Sequence, residues 1–168
     1  MLSFEKLINL IPKEASVLDV GAGGLEDENT GVFLKARFPN YTGINIKPLA
    51  FIQGDYNTYD FGKQFDLVVL DLNIENNLKD WSDEGLQRIS RWIKPGGYLI
   101  NYVMTTTEYG NPNETPQLIA EHRDKWWNGW DDMGDRLSRL KGFEFIVHQT
   151  EERRPYIKWV LLKKINGS

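Results

Sequence analysis

The segment Val17–Gly24, which reads VLDVGAGG, decides the fold class of this chain. Its first four residues are apolar except for Asp19, as expected of a short buried strand with an acidic residue near its end. Glycines then break the strand, and the residues from about Thr30 to Phe38 have helical character up to Pro39. The segment therefore predicts a strand, a glycine turn and a helix, the unit from which open α/β sheets are built.

The same alternation of strands and helices continues along the chain. Phe65–Leu70 reads FDLVVL, a nearly continuous apolar run that favours a strand buried on both faces, as parallel central strands are. Hydrophobic spacing and capping residues predict the other elements. These are helices at 3–11 and 82–93, strands at 41–46 and 98–103, and a turn at 94–97 (KPGG).

The C-terminal region departs from this alternation. Phe143–His148 and Tyr156–Leu162 both have strand character, and only Gln149–Pro155 joins them. A parallel crossover needs about a dozen residues, so this connection is too short for one. The last strand is therefore predicted to run antiparallel to its neighbour.

A second short connection follows the strand YTGINI. Only KPLA separates that strand from the apolar residues FIQ at 51–53. Either FIQ is not an adjacent parallel strand, or the crossover helix is reduced to a bare connection.

Composition limits the classes of function. A chain of 168 residues with 40% hydrophobic side chains supports one compact domain. The absence of cysteine excludes disulfides and thiolate metal sites, and with only 2 histidines we expect no metal. A net charge of −4 disfavours nucleic acid as the main partner. No run of 18 apolar residues and no signal-peptide pattern occurs, so we expect no membrane association and a cytoplasmic location.

The glycine turn does not suit a dinucleotide. The GxGxxG pattern of dinucleotide-binding turns fails at its third glycine, where this chain has Glu26. Glu26, Asp27 and Glu28 would also repel pyrophosphate at the entrance of the following helix. The turn therefore favours a ligand without phosphate.

Taken in order, the motifs VLDVGAG, GINI, FIQGD, FDLVVLD and KPGGYLI resemble those of class I S-adenosylmethionine-dependent methyltransferases. The resemblance covers nearly the whole chain and includes the predicted antiparallel C-terminal hairpin. It implies a Rossmann-like three-layer α/β sandwich, with a mostly parallel sheet and an antiparallel C-terminal strand, formed by a single domain over residues 1–168. It also implies S-adenosyl-L-methionine as cofactor, bound by a compact form of the fold that lacks a full helix after the second strand.

The resemblance assigns the amino acid portion of the cofactor to the first motif. Asp19 would face the ammonium group, and the backbone of Gly21, Ala22 and Gly23 would surround the zwitterion, which needs both an anion and amide donors. The structural alternative is that Asp19 only ties down the loop.

The resemblance assigns the nucleoside portion to the ends of the next strands. Asn45 stands where the family usually has a ribose-binding acid, and its amide lacks the charge of a carboxylate. Asp55 would accept a hydrogen bond from the adenine amino group with Tyr56 beside it, and Ile46 and Leu72 would enclose the base. The alternatives are turn formation by Asn45 and Asp55, and ordinary core packing by the apolar pair.

Two residues are candidates for catalysis. Asp71 ends FDLVVLD at the edge of the sheet where such folds bind ligands, and it would act as a base or orient the acceptor. His122 is a possible general base because of its pKa range. The structural alternatives are that Asp71 only caps the next loop and that His122 is a solvated loop residue. His122 belongs to a predicted lid at 105–129. Trp126 and Trp130 are four residues apart on a predicted helix and share a face, which would either contact a sugar or planar acceptor or pack the helix onto the sheet.

The sequence therefore predicts a methyltransferase that acts on a small molecule or a sugar hydroxyl. Asp71–Asn73 reads DLN and departs from the DPPY and NPPY patterns of amino-directed nucleic-acid methyltransferases. A catalytically inactive accessory protein of the same fold is the main alternative, motivated by Asn45, the short connection at 46–51 and the lack of a clear catalytic motif. A nucleic-acid methyltransferase is a third alternative.

Overall fold

The computed structural model describes residues 4–21, 30–45, 52–70, 83–104, 140–150 and 157–165. Helices and strands alternate at residues 4–45 and again at 65–104, as the sequence predicts, but three strands follow one another between residues 41 and 70 with no helix among the described residues there. The elements are α1 (Phe4–Ile8), β1 (Val17–Val20), α2 (Thr30–Arg37), β2 (Tyr41–Asn45), β3 (Ile52–Gln53), β4 (Phe65–Leu70), α3 (Asp83–Arg91), β5 (Ile93–Met104), β6 (Phe143–Thr150) and β7 (Ile157–Lys164). None of the helices in these ranges is long and apolar enough to cross a membrane.

All the strands join one seven-stranded sheet in the order β3-β2-β1-β4-β5-β7-β6. The pairs β1–β2, β1–β4, β2–β3 and β4–β5 are parallel. β7 runs antiparallel to both β5 and β6. The structure thus confirms the predicted mostly parallel α/β sheet and its antiparallel last strand, which the short connection to β6 makes necessary.

The open question about FIQ is settled by the pairing of β3 with β2. Ile44 pairs with Ile52 and Asn45 pairs with Gln53 in parallel register, so FIQ contributes an adjacent parallel strand. The connection at 46–51 is too short for a regular crossover helix. Because parallel crossovers are right-handed, that helix would lie on the same face of the sheet as α2.

The core lies on both faces of the sheet. On one face, Leu18 and Val20 cluster with Ile89 of α3. On the other face, Val17 clusters with Leu34 of α2 and with buried residues of α1. The four residues Leu67–Leu70 of β4 are fully buried, which confirms the central position predicted from FDLVVL.

Two helices end at least two residues earlier than predicted. The sequence predicts an entry helix that reaches Ile11, but α1 ends at Ile8. Tight turns follow it, in which the carbonyl oxygens of Leu7 and Ile8 accept hydrogen bonds from the amides of Leu10 and Ile11. The helix predicted to reach Ile93 ends at Arg91, because Ile93 already pairs with Phe65 of β4. The amino group of Lys164 also holds this helix end, donating to the carbonyls of Ser90 at 2.8 Å and Ile93 at 3.0 Å.

The predicted turn KPGG lies inside β5 as a local irregularity. Phe65 pairs with Ile93, but Leu67 already pairs with Tyr98, so β5 carries extra residues here. Gly97 is required by close packing: a Cβ atom would lie 2.9 Å from the Lys94 carbonyl oxygen and 3.0 Å from that of Asp66. The glycines thus shape a bulge rather than separate two elements.

Candidate active site

The strand order places a crevice at the carboxyl ends of the central strands. β1 lies between β2 and β4, so the chain leaves β1 toward one side of the sheet and later returns to its other side. Open α/β sheets bind ligands at such a switch point, outside the carboxyl ends of the strands. The ends of β1 and β2 carry the first cofactor-binding candidates, Asp19, Gly21 and Asn45.

Asp19 is fully buried and its carboxylate is held by a tyrosine. It pairs with Gly43 of β2 and Val69 of β4, in the middle of the sheet. The hydroxyl of Tyr41 donates a hydrogen bond of 2.6 Å to Oδ2 of Asp19. This distance is typical of the strong hydrogen bonds that an ionised carboxylate accepts.

Gly21 turns the chain out of the sheet after β1. Its φ angle is +79°, in the left-handed region that side chains with a Cβ rarely occupy. Its amide donates to the carbonyl oxygen of Ile44 at 2.9 Å, which ties the start of the loop to β2. The glycine of the motif is thus required by the backbone path, and the next predicted contacts, Ala22 and Gly23, lie outside the described residues.

Asn45 is the last residue of β2, one strand away from Gly21. It is half-buried, and its carbonyl oxygen accepts a hydrogen bond of 2.9 Å from the amide of Gly54. Its backbone therefore holds β3 and the start of the following turn. Ile46, the next predicted contact, lies outside the described residues.

Asp55 begins a compact turn after β3. Its Oδ1 accepts from the amide of Asn57 at 2.9 Å, and its carbonyl accepts from the amides of Thr58 and Tyr59 at 3.1 and 2.8 Å. Asp55 therefore forms a turn, which the sequence analysis gave as the alternative to adenine binding. The two roles are compatible, since the side chain is exposed and a carboxylate has about four acceptor sites.

Tyr56 differs from Asp55 in being only 2% exposed. It belongs to the cluster on the α3 face with Val20, Ile44 and Leu70, near the carboxyl ends of β1, β2 and β4. Its hydroxyl is buried and has no hydrogen-bond partner among the described residues. Burial, aided by the negative charge of Asp55, raises the pKa of Tyr56 above its ordinary value, so the hydroxyl keeps its proton.

Two polar residues of the neighbouring strands were not singled out from the sequence. Asn101 is 2% exposed within β5 and pairs with Leu70, the last residue of β4. A polar residue in the apolar run YLINYV was the available signal. Tyr41 offered no signal, because its approach to Asp19 follows only from the register of β1 and β2.

The amino edge of the sheet carries a separate cleft of about 370 Å³, which Glu14, Asp66 and Tyr98 help to line. Burial raises the pKa of Asp66, but hydrogen bonds from Ser16 and Lys94 outweigh it and hold this pKa below its usual value. These partners already engage both carboxylate oxygens. No group of three or more acidic, histidine or cysteine side chains among the described residues could hold a metal ion.

Sequence comparisons identify no relative of the chain. No protein-family model matches it, and a search of curated proteins finds no match.

Solved structures do match the fold. A methyltransferase from Aquifex aeolicus described as SAM-dependent superposes with a TM-score of 0.66 at 14% identity, over 96% of this chain and 89% of that chain. The 1,6-didemethyltoxoflavin-N1-methyltransferase of Burkholderia thailandensis, with S-adenosylhomocysteine bound, gives 0.65 at 15% identity over 95% and 75%. The chain has the class I methyltransferase fold. The N-methyltransferase NodS of Bradyrhizobium japonicum WM9, also with S-adenosylhomocysteine, gives 0.62 at 14% identity over 90% and 79%.

Within this methyltransferase fold, the described residues bring together only part of the predicted site. Asp19, Gly21 and Asn45 lie along the ends of adjacent strands, and Asp55 and Tyr56 follow β3. Asp71, Leu72 and His122 lie outside the described residues, as do the predicted lid at 105–129 and its tryptophans. Their roles stay predictions.

Proposed function

We propose that the protein is an S-adenosyl-L-methionine-dependent methyltransferase that acts on a small molecule or a sugar hydroxyl. The observation that carries the proposal is the placement of Asp19, Gly21 and Asn45 at the carboxyl ends of β1 and β2, beside the switch point of this fold. The structural neighbours that hold S-adenosylhomocysteine support the choice of cofactor. Residues 1–168 would form one catalytic domain, with 105–129 covering the acceptor.

The chemistry of the described donors and acceptors fits this cofactor. Asp19 would attract the ammonium group, and the amides after Gly21 would receive the carboxylate. Asn45 would bind the ribose hydroxyls through its amide, and the exposed carboxylate of Asp55 would accept from the adenine amino group. Ile46, Tyr56 and Leu72 would border the base.

The cofactor, when bound, supplies an electrophilic methyl group. The task of the chain is then to align the acceptor atom with that group and exclude water, since positioning dominates such displacements. An acceptor hydroxyl must also lose a proton. Asp71 or His122 would take that proton or orient the acceptor, which assigns them the roles of general base or positioning group.

A catalytically inactive accessory protein is the second candidate. Asn45 replaces the acid usual at the ribose position, and the connection at 46–51 is too short for the usual helix. Such a protein would bind a partner regardless of cofactor and would yield no methylated product. A nucleic-acid methyltransferase has less support because of the net charge of −4, and it would bind RNA or DNA in a strongly salt-dependent way.

Calorimetric titration with S-adenosylmethionine, S-adenosylhomocysteine and NADH tests the cofactor. We expect binding of the first two and none of NADH; failure to bind either of the first two would refute the proposal. Transfer of a labelled methyl group to panels of hydroxyl and amine acceptors then separates enzyme from accessory protein. Amines belong in the panel because two structural neighbours are N-methyltransferases. A cytoplasmic location stays an expectation from the sequence.

A further inference from the structure

The hydrogen bond between Tyr41 and Asp19 joins β1 and β2 inside the proposed amino acid subsite. Tyr41 begins β2 two residues before Gly43, which is the direct partner of Asp19. Tyr41 and Asp19 therefore share one face of the sheet, and Gly43 has no side chain to stand between them. The phenol reaches Oδ2 of Asp19 at 2.6 Å, and the carboxylate is 0% exposed.

The surroundings of this pair make a purely structural purpose a poor explanation. The nearest side chains on the same face of β1 and β4 are Val17, Leu67 and Val69, all fully buried and apolar. A buried carboxylate costs several kcal/mol in lost hydration, about as much as its partners return, and an apolar residue of similar size often stabilises a sheet as well or better. The pair is therefore better explained by a task that needs the charge.

A buried carboxylate is well suited to hold an ammonium group. In the low dielectric of the interior its attraction for a cation is several times stronger than in water. A carboxylate free to rotate would lose part of this advantage, whereas a short hydrogen bond from a tyrosine fixes its direction. The phenol also stabilises the ionised form by donating to it.

We propose that Tyr41 is a positioning residue that orients the Asp19 carboxylate toward the ammonium group of a ligand's α-amino acid portion. This inference rests on the proposed function, and it makes Tyr41 a determinant of selectivity for ligands that carry an amino acid over bare nucleosides. Tyr41 acts through Asp19 and has no contact with the ligand of its own.

Calorimetry with two ligands tests this role in the full-length protein. S-Adenosylhomocysteine carries the amino acid portion, and 5′-methylthioadenosine lacks it while keeping the nucleoside. We expect Tyr41→Phe to raise the dissociation constant of S-adenosylhomocysteine about tenfold, as loss of a hydrogen bond to a charged group does. The dissociation constant of 5′-methylthioadenosine should change less than about twofold. Equal weakening of both ligands, or no change in either, would overturn the role.

A double-mutant cycle shows whether Tyr41 acts through the charge of Asp19. In an Asp19→Asn background the amide still accepts from the phenol, but the charge is gone, so Tyr41→Phe should no longer weaken S-adenosylhomocysteine. An undiminished effect in that background would reject the mechanism. Tyr98→Phe is the matched control, because Tyr98 packs against the same apolar cluster but lies on β5, three strands away from Tyr41. It should bind both ligands as the wild type does.

Two further outcomes separate this inference from the proposed function. Wild-type protein that binds neither ligand would refute the proposed function and the ligand role of Tyr41 together. Wild-type protein that binds S-adenosylhomocysteine while Tyr41→Phe binds it equally well would refute the positioning role alone. If Tyr41→Phe does not fold, Asp19→Asn alone must still lose affinity for S-adenosylhomocysteine and keep it for 5′-methylthioadenosine, or the inference fails.

Discussion

Replacing Asn45 by aspartate should strengthen cofactor binding and lower the folding stability of the ligand-free protein. Asn45 ends β2 half-buried, at the position where we propose that the ribose binds. A hydrogen bond to a charged acceptor contributes about 1 kcal/mol more than one to a neutral amide. We therefore expect the affinity for S-adenosylhomocysteine to rise about fivefold in Asn45→Asp. S-Adenosylmethionine should gain more, because its sulfonium is positively charged.

The cost to the empty protein follows from the distance to Asp19. Asp19 pairs with Gly43, so positions 19 and 45 lie on the same face, one strand and two residues apart, with about 8 Å between Cα atoms. Two negative charges at that distance repel by about 0.5 kcal/mol in water and about 2 kcal/mol at an effective dielectric constant of 20. Because position 45 is half exposed, we expect a loss near 1 kcal/mol, or a fall of about 3 °C in melting temperature.

Calorimetry and thermal unfolding without ligand measure the two effects separately. Asn40→Asp is the control for affinity only, since it adds the same charge at the exposed amino end of β2, away from the crevice, but also loses the hydrogen bond that its amide donates to the Glu14 carbonyl. It should leave cofactor affinity unchanged. An unchanged or weaker affinity of Asn45→Asp would refute the ribose assignment. An equal gain in affinity in Asn40→Asp would show that the effect comes from the overall charge of the protein.

Three stability predictions follow from single groups. Tyr56→Phe should raise the unfolding free energy by about 1 kcal/mol in chemical denaturation, because it removes a buried hydroxyl that has no partner in the described part of the chain; a clear loss would contradict this. Gly97→Ala should lower the unfolding free energy by about 2 kcal/mol, because the new Cβ meets backbone oxygens. Gly54→Ala is the control, because a Cβ there would meet only side-chain atoms, at 3.4 Å or more; an effect of Gly97→Ala no larger than that of Gly54→Ala would contradict the packing argument. Burial lowers the pKa of Lys164 in the folded protein, so the unfolded chain binds more protons at pH values between that pKa and 10.5. The unfolding free energy of the wild type, relative to that of Lys164→Met, should therefore rise with pH across that window. A constant or falling difference would show that burial does not disfavour the charge.

The sequence predicted the sheet well because its signals were local and redundant. The glycine turn, the apolar run of β4 and the short C-terminal connection each restrict the topology, and together they require a mostly parallel α/β sheet with an antiparallel last strand. The strand order itself comes from the structure. The end of α3 was missed because the amphipathic pattern continues to Ile93, whereas pairing with Phe65 claims that residue for β5. Tertiary pairing overrides helical periodicity in such cases.

The candidate site was predictable only where one residue acts alone. Gly21 could be assigned from sequence because its backbone conformation excludes other residues. The partner of Asp19 could not, since the contact with Tyr41 depends on a register that no local pattern contains. Tyr56 was expected beside the base, but its buried, unpartnered hydroxyl reflects three-dimensional packing. Pairwise contacts across strands are thus the part of the site that sequence alone does not supply.

The residue types on one face of β2 account both for the polar site and for the short connection that follows the strand. Tyr41, Gly43 and Asn45 are the residues of β2 on the α2 face, where a crossover helix to β3 would pack. A helix there would need an apolar surface beneath it, and this strand offers a phenol, a glycine and an amide instead. Because these residues leave no aliphatic side chain on this face of β2, a connection without a crossover helix would not expose a hydrophobic strand face. Introducing an apolar residue at position 45 should therefore weaken ligand binding and also expose apolar surface, which a polar change such as Asn45→Asp does not.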